Sequence, residues 1–277
     1  PPPVELLPER VSLAALLDAA AARPGDGALA APVGRESLAL GPAWLRLDRE
    51  TPHALVIGAR RSGKSSFLLT AAHALVAQAQ PDSLQLLVLD GPRGGLAPLR
   101  ALPQLAHYAD DEAGAAALAA LLRVAPPPAT RRLILVDDYT LCRERLRAQL
   151  TQSYSGEPSL LDALCEIAQT GGQRGDHLLL ATTLTYPDDA LLRALDAGRS
   201  GLLLWPGRYD PGTRLLGATL PIADQRYAAL APGRRRPGGQ RRLRGCAASP
   251  AHPAAAARLR PRARRHDRHG ATLHAPP

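Results

Sequence analysis

From His53 onward the chain alternates between short apolar runs and longer stretches with helical spacing. The apolar runs are Leu55-Val56-Ile57, Leu84 to Asp90, Leu133 to Val136, His177 to Thr183 and Leu202 to Trp205. Runs of this length without polar alternation predict strands buried on both faces, the situation in a parallel sheet. Between them, Ser66 to Ala72, Ala113 to Leu122, Leu160 to Thr170 and Asp188 to Asp196 predict helices, with Gly171-Gly172 ending the third. Strands separated by helices predict an α/β fold with a mainly parallel sheet flanked by helices. Ahead of it, Val11 to Asp18 predicts a short helix capped by Ser12, and Val33 to Glu36 with Trp44 to Asp48 predict a hairpin or edge strands. Three regions follow: a Pro-rich lead-in with edge strands over 1–50, the α/β domain over 51–233, and a tail over 234–277 whose Arg, Pro, Ala and His show almost no apolar periodicity. Such a tail cannot bury a core and is expected to be disordered. It reads either as a basic nucleic-acid tail or as the out-of-frame product of GC-rich coding sequence.

Charge changes the picture less than its total suggests. The formal net charge is +9 over 277 residues. From Arg234 onward 12 arginines face one acid, Asp267, whereas residues 1–233 carry 22 basic and 24 acidic residues. The folded part is near neutral, so charge alone gives no nucleic-acid surface there. No apolar stretch approaches the ~20 residues that cross a bilayer, and no signal peptide is visible, which points to the cytoplasm. Cys142, Cys165 and Cys246 show no metal-ligand spacing and are expected to be reduced thiols. The chain opens on Pro1-Pro2-Pro3 without an initiator Met and reads as a piece of something longer, with membrane segments possible upstream.

The chemistry concentrates at Gly58-Ala59-Arg60-Arg61-Ser62-Gly63-Lys64-Ser65, a complete G-x-x-x-x-G-K-[ST] phosphate loop between a strand and a helix. Its glycines let backbone N–H groups turn inward on phosphate oxygens, and the helix N-terminus adds positive potential. Residues Gly58 through Ser66 are expected to bind ATP, with Lys64 on the β- and γ-phosphates and the Ser65 hydroxyl on Mg²⁺. Lys64 is the only lysine of the chain; a compact ammonium sits between phosphates where a planar guanidinium fits poorly. Arg131 to Asp138 reads as a Walker B strand, in which Asp137 would hold Mg²⁺ through water and Asp138 would polarise the attacking water. The strand ending at Thr182-Thr183 supplies hydroxyls that could sense the γ-phosphate or the water, Thr183 being the catalytic candidate.

These residues carry a resemblance. Leu87-Val88-Leu89-Asp90-Gly91-Pro92-Arg93-Gly94-Gly95-Leu96, then Leu102-Pro103 and Tyr108-Ala109-Asp110-Asp111, and above all Leu164 to Thr182 with its Gln173-Arg174-Gly175 turn, resemble the FtsK/SpoIIIE family of hexameric ATPases. The leading Val33-Gly34 and Leu45 to Asp48 segments are similar to a C-terminal ATPase domain of type VII secretion motors. The resemblance covers about 1–233 and implies a RecA-like P-loop NTPase that uses ATP and Mg²⁺, works in a hexameric ring and moves secreted proteins. DNA translocation is the alternative cargo, and a degenerate ATP-binding module that docks a secretion substrate is the second alternative. It also implies an arginine donated between subunits, for which Arg174 and Arg199 are the candidates. There are departures: Asp137-Asp138 stands where DNA pumps carry Asp-Glu, Thr183-Leu184-Thr185 replaces Gln-Arg-Pro, and the closing strand after Pro232-Gly233-Arg234 is absent. The first two imply ATP binding with slow hydrolysis in isolation, and the third fits an out-of-frame tail.

Overall fold

The computed structural model describes residues 11–20, 28–36, 40–80, 82–150, 159–183, 189–204, 214–216 and 218–219. The expectations for the Pro-rich start, for Leu184-Thr185, for Trp205, for Cys246 and for the 234–277 tail lie outside these residues.

In chain order the elements are α1 (Leu13–Ala19), β1 (Leu29–Arg35), β2 (Pro42–Leu47), β3 (His53–Gly58), α2 (Lys64–Gln78), β4 (Leu84–Leu89), a 3-10 turn (Ala97–Ala101), β5 (Leu105–Ala109), α3 (Glu112–Arg123), β6 (Arg131–Val136), α4 (Tyr139–Leu150), α5 (Leu160–Arg174), β7 (Asp176–Thr182), α6 (Ala190–Ala197) and β8 (Gly201–Leu204), with the two-residue strands β9 (Arg214–Leu215) and β10 (Ala218–Thr219) after it. Strands β3 to β8 form one sheet in the order β5-β4-β6-β7-β3-β8, and each pairing within it is parallel. The antiparallel β1–β2 pair is a separate hairpin.

Two apolar cores cover the two faces of the sheet, and strand periodicity assigns the residues. Leu55, Ile57, Leu87, Leu89, Ile134, Val136, Leu178 and Leu180 face α3, α5 and α6. Their neighbours Ala54, Val56, Leu86, Val88, Leu133, Leu135, Leu179 and Ala181 face α2, together with Leu29, Ala31 and Leu47 of the hairpin. Successive side chains of a strand point to opposite faces, so covering both faces requires an unbroken apolar run. Among the described residues no helix is long and apolar enough to cross a membrane.

Several expectations need correction. Helix α5 does not end at Gly171-Gly172; it runs to Arg174 and stops at Gly175, whose φ of 79° is left-handed. The two glycines serve close packing instead: a Cβ on Gly171 would lie 2.8 Å from the Asp176 carbonyl oxygen, and one on Gly172 would lie 3.0 Å from that of Arg49. Helix α2 begins at Lys64 and continues to Gln78. The edge strand β5 and helix α4 are additions to the sequence reading. Ser12 caps α1 as expected, its side chain accepting from the Ala15 N–H at 3.1 Å.

At the N-terminal end of the sheet, polar groups pair inside the protein. Arg132 of β6 grips Asp176 of β7 with two bonds, 2.6 and 2.9 Å, and donates a third to the Leu121 carbonyl at 2.7 Å. Both side chains are buried, at 5% and 0% exposure. Arg174 adds an ion pair to Asp176 at 3.3 Å and a bond to the Leu122 carbonyl at 2.9 Å.

Candidate functional site

The site is built at the C-terminal ends of three adjacent strands. Strand β3 delivers the phosphate loop, β6 delivers Asp137 and Asp138, and β7 lies between them and delivers Thr182 and Thr183. Sheet order thus joins motifs far apart in sequence around one cavity of about 370 Å³. Its lining includes Arg60 to Ser66, Asp137, Asp138 and Thr183 from the sequence reading, and Gly91, Arg93, Thr140 and Leu141 besides.

The loop has no room at its start. A Cβ on Gly58 would collide with the Leu204 carbonyl oxygen of β8 and with Ser62 Oγ. Arg61 (φ 63°) and Gly63 (φ 101°) take left-handed backbone to turn the chain into α2. Gly63 is the N-cap and supplies no side-chain cap, so the first N–H groups of a 15-residue helix open on the cavity side. Lys64 is buried and folded back, its Nζ donating to the carbonyls of Gly58 and Ala59, each at 3.0 Å. Burial lowers its pKa; the carboxylates of Asp138 and then Asp137 oppose that shift, and Arg93 adds to it.

Ser65 and Asp137 stand together. A Cβ on Gly95, which follows β4, would lie 2.8 Å from Asp137 Oδ2 and 3.1 Å from Ser65 Oγ. Burial raises the pKa of Asp137 and is the largest cause; the hydrogen bond with Ser65 and the Asp138 N–H, 2.9 Å away, pull it back. A hydroxyl, a buried carboxylate and an uncapped helix N-terminus around one space form the donor set that a Mg²⁺–polyphosphate requires, so these residues fit that group. Asp138 has φ 49°, an uncommon conformation for a residue other than glycine. Its carbonyl accepts from the N–H groups of Leu141 and Cys142, opening α4.

Thr183 lines the cavity, whereas Thr182 is fully buried and meets Thr140 Oγ1 at 3.2 Å. Thr140 also reaches Thr183 Oγ1 at 3.3 Å, bridging α4 and β7. Asp90 is 1% exposed; its Oδ2 accepts from the Leu96 N–H at 2.9 Å and from the Tyr108 hydroxyl. Cys142 donates to the Asp137 carbonyl at 3.3 Å, and burial pushes its thiol up to about 12, an inert state. Arg174 and Arg199 are not at this cavity. Both precede the N-terminal ends of their strands, across the sheet from the phosphate loop, and Arg174 is engaged by Glu166, Asp176 and Leu122 while Arg199 is exposed.

Residues 12–125 match the model of the FtsK/SpoIIIE family, a stretch that holds the whole phosphate loop. Over that stretch the chain is similar to the FtsK/SpoIIIE family. The match stops short of β6, so the carboxylates rest on the geometry above. Among solved structures, the domain is similar in fold to the cytoplasmic domain of the type VII secretion ATPase EccC of Thermomonospora curvata, at 21% identity and TM-score 0.55 over 73% of this chain and 24% of that one. It is similar also to ATPases 2 and 3 of EssC from Geobacillus thermodenitrificans, at 20% identity and TM-score 0.56 over 72% of this chain and 37% of that one. EccC ATPases 2 and 3 of T. curvata, solved in complex with a signal sequence peptide, match at 20% identity and TM-score 0.53 over 73% and 37%. At these identities the likeness is one of fold, and this chain spans only a quarter to two fifths of the neighbours' lengths. No curated protein matches.

Proposed function

We propose that the chain is an ATP-binding motor domain that couples ATP binding and hydrolysis to translocation of secreted protein, within a larger ring-forming protein. The observation that carries this is the meeting of Lys64, Ser65 and Asp137 in one cavity at the mouth of an uncapped helix. The fold shared with type VII secretion ATPases, one of them holding a signal peptide, favours a protein cargo. The near-neutral charge of residues 1–233 offers nothing to the DNA reading.

Lys64 would leave the carbonyls of Gly58 and Ala59 for phosphate oxygens, exchanging neutral acceptors for anionic ones. Ser65 and Asp137 would hold Mg²⁺, which supplies neutralisation of phosphate charge when bound. Asp138 would orient the attacking water, and Thr183 would contact that water or the terminal phosphate. An aspartate reaches ~1.5 Å less far than a glutamate, about one C–C bond, so alignment is poorer and turnover by the single chain is slow. Of the two candidates for an arginine given to a neighbour, Arg199 is the exposed one. Lys64→Ala removes the compact cation at the mouth of α2. ATP affinity is expected to fall by about a hundredfold or more, the order of two charge-assisted hydrogen bonds. Titration calorimetry with Mg²⁺–ATP reads this, and an unchanged affinity would sink the assignment. Turnover that rises on addition of a secretion-signal peptide separates a motor from a docking module, in which it stays flat.

A further inference from the structure

The wall facing the phosphate loop is the segment Gly91-Pro92-Arg93-Gly94-Gly95, between β4 and the 3-10 turn. Both of its ends press on the carboxylates. A Cβ on Gly91 would lie 2.8 Å from the Cβ of Asp138, and one on Gly95 would lie 2.8 Å from Asp137 Oδ2. The segment turns tightly between them, with the Gly94 N–H bonded to the Gly91 carbonyl at 3.0 Å and Gly94 at φ 62°. Buried Asp90 holds it from below through the Leu96 N–H. A turn fixed at both ends and at its base projects Arg93 from a defined place.

Arg93 is exposed and lines the cavity, and its charge acts on Lys64. Among the described residues no carboxylate pairs with it. Arg60 and Arg61 also line the cavity, but they belong to the phosphate loop itself, ahead of Lys64. Arg93 comes from the other wall, bracketed by the glycines that touch Asp137 and Asp138. That wall borders the reacting end of a bound nucleotide, because a metal-holding and a water-orienting carboxylate both act on the terminal phosphate. A guanidinium offers five donors in a planar fork and suits a phosphate with developing charge.

Resting on the ATP reading above, we propose that Arg93 is a catalytic residue that donates to the terminal phosphate of a bound nucleoside triphosphate from within the same chain. The single chain then keeps part of the charge stabilisation that a neighbour's arginine provides in a ring. ADP lacks that phosphate, so Arg93 distinguishes ATP from ADP.

The test is calorimetric titration of the full chain with Mg²⁺–ATP and with Mg²⁺–ADP, for the parent, Arg93→Ala, Arg93→Gln and Arg93→Lys. Arg93 is exposed, and the Gln variant keeps much of the stem should Ala disturb the turn. Loss of one charge-assisted contact weakens ATP binding by about tenfold or more. ADP affinity should stay within about twofold, and Arg93→Lys should restore part of the loss for ATP. Equal weakening of ATP and ADP would reduce Arg93 to general attraction and overturn the proposal, as would unchanged ATP binding in both neutral variants. A parent that binds neither nucleotide, or binds ATP equally well as Lys64→Ala, overturns the ATP reading itself and this proposal with it. Lys64-dependent binding with an Arg93 effect shared by ATP and ADP overturns only the role of Arg93.

Discussion

The two ends of the sheet use similar residues to opposite ends. At the N-terminal end Arg132 holds Asp176 through two hydrogen bonds and Arg174 adds an ion pair, and the pairs are buried or nearly so. At the C-terminal end Asp137 is buried beside the charges of Asp90 and Asp138, Lys64 is turned back on its own loop, and Asp138 has left-handed backbone. Charges that complete one another lock strands together. Charges left under-matched beside a cavity lower stability and prepare a place for a ligand. The division is not absolute, since among the described residues the buried Nε of Arg174 at the N-terminal end has an ion pair but no hydrogen-bond partner.

The largest expected effect is at the C-terminal end. Asp138→Asn should cut phosphate release by ~10²–10⁴, the range for a positioned acid–base group, and leave ATP binding and thermal stability near the parent values, because Asn tolerates left-handed backbone. Steady-state phosphate assays beside calorimetric titration test this; turnover at the parent rate would remove Asp138 from the water-orienting role.

Next comes Arg132→Ala, which leaves Asp176 buried without its main partner. A loss of ~3–5 kcal/mol is expected, read by chemical denaturation, with nucleotide affinity of the folded fraction unchanged. A large loss of affinity in a well-folded variant would break the separation between the two ends.

The smallest effect is pH-dependent. Burial, and then the nearby charge of His177, holds His53 down at about 4. Its unfolded value is ~6.5, so the unfolded chain takes up a proton first as pH falls from about 6.5 to 4. Stability should be complete above that window and decline through it by about 3 kcal/mol at most. Denaturation midpoints of the parent and His53→Gln at pH 7 and pH 4.5 decide it: the variant should lose less, and equal losses would exonerate His53.

Sequence showed the parts of the site that carry their own punctuation. The phosphate loop is a contiguous motif, and β4, β6 and β7 carry apolar runs (Leu86 to Leu89, Leu133 to Val136, Leu178 to Ala181) because both faces are covered there. Strand β5, Leu105-Ala106-His107-Tyr108-Ala109, lies at an edge and is only partly buried, so its pattern is mixed and it escaped notice. Helix α4 interleaves Arg143, Glu144, Arg145 and Arg147 with its apolar positions, so its helical pattern is weak in the sequence. Thr140 gave no signal and Arg93 stood only within the Leu87-to-Leu96 segment of the resemblance, because their place at the cavity follows from β4, β6 and β7 ending side by side, a fact of sheet order that no local pattern contains. Gly171-Gly172 misled for a related reason: the need for close approach to β7 and to the Arg49–Pro52 turn comes from residues distant in sequence.

The sheet order has a consequence for biosynthesis. The sheet neighbours of β3 are β7 and β8. As the nascent chain emerges, the apolar Leu55-Val56-Ile57 strand has no partner until residues 176–204 have been made. During that interval its unpaired edges are open to wrong pairing. The 12–125 stretch that matches the family would therefore keep the phosphate loop but leave its strand unsupported, and a truncation there should aggregate rather than fold.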